Sequence, residues 1–338
     1  MKVLFIGGTG IISRASADLA VKRGAQVTLL NRGSHPELVP AGAQLLKGDI
    51  SNEEEAKGLL SGRTFDVVVD FTVKTVEQAA RDISLFTGKT GQFIFISSAS
   101  VYQKPPVRYP FTESTPLRNP YWRYSRDKIA CEEMFVGAYR SSGFPVTIVR
   151  PSHTYSERSI PLAVHGQKGP WQILERIRSG KPVIVHGDGL SLWTLTHADD
   201  FAKGLNGLFG NPHAIGEAVH ITSDEAITWN DVYMAIGAAL GKQPNLVHIP
   251  SDFLAAADPQ LLGTLLGDKA YCGVFDNSKI KNLVPGFHAE IRFADGVRRS
   301  VEYFLSHPEM QIADPGFDAW CDRVIAAHFA GMKQLQTD

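Results

Sequence analysis

Six short apolar runs recur through the first 150 residues: KVLFIG, QVTLLN, AQLLKGD, FDVVVDF, QFIFISS and PVTIVRP. Each is nearly continuous in Val, Ile, Leu and Phe rather than alternating with polar residues. That pattern suits strands buried on both faces. Between them, IISRASADLAVKRG, NEEEAKGLLSG, KTVEQAARDISLF and SRDKIACEEMFVGAYRSSG carry apolar residues at helical spacing. Alternation of this kind predicts an α/β fold with a Rossmann-type, doubly wound parallel sheet over residues 1–150. From residue 151 the pattern loosens into longer loops and isolated elements such as PVIVHG, AVHIT and NLVHIPS. Residues 151–308 are therefore expected to form a smaller substrate-binding domain, interwoven with the first, and 309–338 a C-terminal helical extension. In that extension Phe317, Trp320, Cys321, Val324 and Phe329 fall on one helical face, which reads as a helix capping the core.

A net charge of −1 over 338 residues implies no broad attraction to nucleic acid or to an anionic membrane. The three cysteines lie far apart, without metal-ligand spacing, as reduced thiols do in cytosolic proteins. No apolar stretch reaches the roughly 20 residues that cross a bilayer, and no signal-peptide cleavage region follows the first strand. A cytoplasmic, globular protein is expected, with neither nucleic acid nor membrane as a partner. The histidines show neither H-x-H nor H-E-x-x-H spacing, so no metal is expected.

GGTGIIS follows the first strand and opens the first helix, the context a dinucleotide-binding turn requires. Gly7 permits the tight turn, and Gly10 lets the backbone approach a pyrophosphate at the helix N-terminus. Ser13 stands where a third glycine is usual and is small enough to keep the helix close. About 20 residues on, an acid would hold the ribose hydroxyls of NAD. This chain has LLNRGS instead. Asn31 can bond a hydroxyl, while Arg32 is placed for a 2′-phosphate with Ser34 as a further donor, which favours NADP over NAD. Alternatively Arg32 stacks on adenine and accepts either cofactor. Asp49, after the third strand, is placed for the adenine amino group or is an ordinary loop aspartate.

YSRDK puts Tyr124 four residues before Lys128, on one face of a helix. Removing a hydroxyl proton during hydride transfer needs a base, and a free phenol with a pKa of about 10 is a poor one at neutral pH. A fixed cation nearby favours the phenolate. Together with GDI, FISSASVY, VRP and THADDFAKG, in this order, the chain resembles the extended short-chain dehydrogenase/reductase family and its NAD(P)-dependent epimerase/dehydratase branch, over roughly residues 1–305.

That resemblance implies a Tyr124 acid/base, a Lys128 that binds the nicotinamide ribose and lowers the tyrosine pKa, and a Ser98 that orients the substrate hydroxyl. It implies a cofactor path past Gly7, Thr9, Gly10, Ile11, Ile12, Asn31, Arg32, Ser34, Asp49, Ile50, Phe71, Lys74, Tyr124, Lys128 and Pro151. Substrate contacts are expected at Ser98, Ser100, His153 and Trp193, and a homodimer is compatible with the family. Dehydratases of the family carry an Asp-Glu pair after the strand's Ser or Thr. Here Ala99 and Ser100 stand there, which points to an epimerase or a dehydrogenase/reductase. His153 replaces a usual asparagine, and either touches substrate or packs in a hydrogen-bonded site. Trp193 replaces an arginine that grips a diphosphate, which favours a sugar or sugar derivative over a nucleotide sugar, stacked on the indole. Arg150, Arg158, Arg176 and Arg292 are the other arginines open to a phosphate. GGTG with LLNRG is also similar to the plastid RNA-binding branch of the superfamily, whose catalytic residues have eroded; near-neutral charge and intact Ser98, Tyr124 and Lys128 speak against that alternative.

Overall fold

The computed structural model describes residues 1–334, so the last four residues of the expected C-terminal extension lie outside the described residues. Its first half runs β1 (Lys2–Ile6), α1 (Ile11–Lys22), β2 (Gln26–Asn31), β3 (Gln44–Lys47), α2 (Glu53–Leu59), β4 (Phe65–Asp70), α3 (Val76–Phe86), β5 (Thr90–Ile96), α4 (Arg123–Ser142) and β6 (Val146–Pro151). All six apolar runs are strands. Val3, Leu4, Phe5 and Ile6 are fully buried, as a strand covered on both faces requires. Helix ends follow side-chain chemistry. Asn52 caps α2 by accepting from the Glu55 N–H, Thr75 and Gln78 form a reciprocal cap on α3, and α4 stops at Gly143 with φ of 72°.

The second half continues with β7 (His153–Tyr155), α5 (Trp171–Arg178), β8 (Pro182–His186), β9 (Leu192–Trp193), β10 (Leu195–His197), α6 (Ala198–Gly207), β11 (Ala218–Ile221), β12 (Ile227–Thr228), α7 (Trp229–Ala239) and β13 (Asn245–Ile249). It closes with α8 (Ser251–Ala257), α9 (Leu261–Thr264), a π turn over Leu265–Lys269, α10 (Ser278–Leu283), α11 (Phe293–Ser306) and α12 (Pro315–Gln334).

The main sheet has seven strands in the order β3-β2-β1-β4-β5-β6-β11, every neighbouring pair parallel. Strand order reverses between β1 and β4, which opens a crevice at the strands' C-terminal ends. β11 comes from the second half and pairs with β6, Val219 opposite Val149. α6 also joins the first layer, where Asn206 Nδ2 donates to the Ser16 carbonyl at 3.0 Å. The sheet layer thus reaches to residue 221, past the expected boundary at 150.

The rest folds around a second core holding Trp171, Trp193, Trp229 and Phe293, with three two-stranded ladders. α12 covers this core through Cys321, Val324 and Ile325. It is pinned by the fully buried Arg176, which donates to Asp318 at 2.6 Å and Asp322 at 2.7 Å. Phe329, which helical spacing put on the covered face, is 46% exposed. The helix extends past the core there.

Candidate active site

The crevice above the sheet holds two neighbouring cavities. The first, about 390 Å³, is lined by Gly7, Thr9, Asn31, Arg32, Ser34, Asp49, Ile50 and Lys74, all expected from sequence. Gly7 and Gly8 take φ of 101° and 78°, and a Cβ on Gly8 would stand 2.6 Å from Leu29 Cδ2. Gly8 therefore belongs to the turn as firmly as Gly7 does, because only a residue without a side chain fits. Ser13 is buried and its Oγ accepts from the Gly10 N–H at 2.8 Å. It caps α1 as well as letting the helix approach, and leaves the Ile11 and Ile12 N–H groups at the helix start. Asn31 does something other than wait for a ribose. Its Nδ2 donates to the Gly7 carbonyl at 3.0 Å and its Oδ1 accepts from the Gly33 N–H at 2.8 Å, locking the two turns together.

Arg32 is exposed on the cavity rim with no ion-pair or hydrogen-bond partner among the described residues. Asp49 spends Oδ1 on the Ser51 N–H. Gly10 and Ile11 line an adjoining cavity of about 600 Å³ on the far side of the turn, with Arg14, Arg158 and Tyr303. The Ile12 and Phe71 side chains line none of these spaces. Both are half-buried and pack against the core beneath the turn, Phe71 stacked on Phe5 at 6.1 Å.

The second crevice cavity, about 290 Å³, brings together Ser98, Ser100, Trp122, Tyr124, Pro151, His153, Trp193, Asp268 and Lys269. Ser98 Oγ lies 2.9 Å from Ser100 Oγ, which accepts from Ser125 Oγ at 2.8 Å, a hydroxyl chain along the floor. Lys128 is buried beneath. Its Nζ donates to the carbonyls of Val73 at 2.5 Å and Ile96 at 2.8 Å and stands 5.8 Å from the Tyr124 ring centroid. An ammonium has three N–H groups, so one remains. Burial pulls its pKa down to about 8. The expectation that Lys128 depresses Tyr124 does not hold for the protein by itself. Burial lifts the phenol above its ordinary value, the Ser98 hydroxyl opposes the rise, and the Asp268 carboxylate adds to it.

His153 lines the pocket with Nδ1 buried and unpartnered, and burial holds the ring far below its usual pKa, hence neutral. Trp193 is only 2% exposed. Its Nε1 donates to the carbonyls of Tyr271 at 2.9 Å and Lys269 at 3.2 Å, and Gly273 lies against the ring. It is wall, not platform. The half-buried indole beside Tyr124 is Trp122, with ring centroids 5.0 Å apart. Arg150 is buried against Glu132 at 2.5 Å, so neither it nor Arg176 is free for substrate, and Arg292 pairs with Glu225. Glu157, His197 and Asp199 offer ligand-type atoms within 4.8 Å of one another. His197 Nδ1 accepts the Asp199 N–H at 3.2 Å as the cap of α6, leaving the ring proton on Nε2, 3.4 Å from Glu157 Oε1. That is a capping histidine backed by a carboxylate.

A family model described as "NAD dependent epimerase/dehydratase family" matches residues 3–221, which span all but the first residue of the main sheet. The chain belongs to the NAD-dependent epimerase/dehydratase family. Its relatives include 2'-dehydrokanamycin reductase of Streptomyces kanamyceticus, 26% identical over 85% of this chain and 80% of the relative. Another is the chloroplast stem-loop binding protein of 41 kDa b of Arabidopsis thaliana, 29% identical over 75% of this chain and 67% of that one. Among solved structures, an epimerase of Methanothermobacter thermautotrophicus superposes with a TM-score of 0.76 at 18% identity, covering 92% of this chain and 94% of its own. UDP-glucuronic acid 4-epimerase of Bacillus cereus in complex with NAD gives 0.73 at 19%, covering 90% and 99%.

Within this epimerase/dehydratase-family fold, the pocket also holds residues outside the expected set, among them Trp122, Asp268 and Lys269. Trp122 stands two residues before Tyr124, and that adjacency was the available clue. Asp268 and Lys269 reach the pocket on the π turn, about 140 residues later, through Asn119 Nδ2 donating to the Gly267 carbonyl at 2.7 Å.

Proposed function

We propose that this protein is an NAD(P)-dependent oxidoreductase or epimerase that works by hydride transfer at a secondary alcohol or ketone on a small, sugar-like ring. The observation that carries this is the meeting of Tyr124 and Ser98 in one pocket, with the partly free Lys128 ammonium buried beneath, 5.8 Å from the Tyr124 ring centroid. The residues fit a dinucleotide. The Gly8 cradle admits no side chain, the first N–H groups of α1 face the turn, and Arg32 is an unpartnered cation at the rim. Bound there, the nicotinamide would exchange a hydride with the substrate carbon. The Lys128 N–H left over by Val73 and Ile96 would hold the nicotinamide ribose, and Arg32 with Ser34 would receive a 2′-phosphate, favouring NADP.

Tyr124 is the proton carrier in this reading, and the Ser98–Ser100–Ser125 chain orients the reacting oxygen. Burial keeps the phenol protonated, the state needed to donate a proton to the oxygen of a ketone being reduced. Ala99 and Ser100 supply no carboxyl pair for eliminating water, so we do not assign dehydration. Tyr124→Phe should leave NADPH affinity within about twofold while abolishing turnover, because only the proton-transfer group is lost. Retention of most of the rate would place the acid/base elsewhere.

The stem-loop-binding relative supports a second reading, a non-catalytic RNA binder. A net charge of −1 and the intact Ser98, Tyr124 and Lys128 argue against it. A salt-sensitive shift of an RNA stem-loop in a native gel, with no NADPH binding, would favour it instead.

A further inference from the structure

Asp268 and Lys269 sit side by side on the π turn and both line the catalytic pocket. Their side chains are about 11% and 10% exposed, and Lys269 Nζ lies 3.3 Å from Asp268 Oδ2. An ion pair between successive residues joins no two elements, so it contributes nothing as a tertiary staple. Burying it still carries a desolvation cost. π turns inside helical segments frequently mark functional sites. The backbone here is firmly held, since the Lys269 carbonyl accepts from His186 Nε2 at 3.0 Å and from Trp193 Nε1 at 3.2 Å. The ammonium itself is loosely held, with one long hydrogen bond for three N–H groups.

A second buried lysine lies nearby. Lys104 is 2% exposed, its amine lies over the Phe111 ring at 4.7 Å, and it has no carboxylate partner within ion-pair distance among the described residues. Its field reaches both Asp268 and Lys269. Burial lowers the Lys104 pKa, and Lys269 is the lysine that reaches the pocket itself. His153, held neutral by burial, lines the pocket and carries one ring N–H for an acceptor. The rest of the lining mixes hydroxyls, from Ser98, Ser100, Tyr124, Ser152 and Thr154, with the apolar surface of Trp122, Trp193, Ala99 and Pro151. The volume of about 290 Å³ is at the small end of ligand pockets.

We propose that this pocket takes a single hydroxylated ring carrying one carboxylate, a sugar acid, with Lys269 and His153 receiving the carboxylate and Trp122 covering the ring. Asp268 holds Lys269 in place between turnovers. This rests on the oxidoreductase reading only in taking the pocket as the substrate site.

The test is calorimetric titration of the NADPH-loaded protein with D-glucuronate, D-glucose and D-glucosamine, and with the corresponding galacto series. In at least one series the uronate should bind about tenfold or more tighter than its hexose and hexosamine, as a charge-assisted contact provides. Lys269→Met should erase that preference and Lys269→Arg should keep it. Lys269→Gln serves in place of the methionine variant if that fails to fold. NADPH affinity, measured for each variant, reports folding and the oxidoreductase reading separately. Tighter hexosamine binding, equal binding of all three, no binding of any, or a uronate preference that survives loss of Lys269 would each overturn the proposal. None of these would touch the oxidoreductase reading so long as NADPH still binds.

Discussion

Replacing Arg32 with alanine isolates cofactor choice better than any other single change. The side chain is exposed on the rim of the nucleotide cavity and engages no other described residue, so its removal breaks nothing within the protein. The turn itself is held by Asn31, through the Gly7 carbonyl and the Gly33 N–H, and stays put. What is lost is a charged contact to a 2′-phosphate, worth about 1.5–3 kcal/mol for a hydrogen bond to a charged group. At ~0.15 M salt the screening length is about 8 Å, which pulls an exposed contact toward the lower figure. About 1.5 kcal/mol is roughly tenfold in affinity. NADPH should therefore bind about tenfold more weakly to Arg32→Ala, with NADH unchanged, and the gap should narrow as salt rises. Stacking on adenine would behave differently, weakening both cofactors together. Calorimetric titration of both proteins with both cofactors at two salt concentrations separates the cases. A wild-type protein that prefers NADH, with a ratio indifferent to the substitution, would refute the reasoning.

Other perturbations probe the supports of the site. Glu132→Gln leaves the Arg150 guanidinium buried without its counter-charge, and should lower stability by about 3–5 kcal/mol in a denaturant melt; a loss below about 1 kcal/mol would mean the pair is dispensable. Burial brings Lys128 to a pKa of about 8 against 10.5 when solvated, so the ammonium is charged below that pH and neutral above it. NADPH affinity should fall roughly tenfold between pH 7 and 9.5, and a flat profile would remove Lys128 from the cofactor site. Because the folded state sheds this proton first, the group's own contribution to stability rises with pH across the same window, so weaker binding cannot be put down to its destabilising the fold. Gly263→Ala sets a Cβ 2.2 Å from Trp122 Cδ1; the displaced indole should weaken substrate binding and leave NADPH affinity intact, as titration of each ligand would reveal.

Strands β1 to β6 were readable because burial on both faces writes itself into sequence as an unbroken apolar run. β11 is built of the same kind of residues, AVHI, yet nothing local says which edge it joins; its pairing with β6 is decided by a crossover that includes α6. The glycine turn and the Tyr124–Lys128 pair were legible for a related reason, since spacing within one element fixes their geometry. What the lysine does there was not. Its hydrogen bonds go to Val73, in the loop after β4, and to Ile96, at the end of β5, and the burial they entail sets its pKa. Trp193 and Trp122 illustrate the same divide. Whether the Trp193 indole faces a pocket or a core depends on Gly273, some 80 residues away. The Asp268–Lys269 pair needed a π turn, an irregularity that no periodicity announces.

The late arrival of β11 bears on how the chain emerges from a ribosome. Six strands and their helices are complete once Pro151 has been made, but the outer edge of β6 still presents its open N–H and C=O groups. Its partner is encoded some 70 residues downstream, with β7 to α6 in between. At about 5–20 residues per second the wait lasts several seconds, which is long beside the milliseconds in which small domains collapse. During that interval the nascent sheet offers an apolar edge, VTIV, to any other unfinished copy on the same message. Shortened products ending before residue 218 are stranded in that state permanently, so the first half of this protein is a poor unit to express or engineer alone.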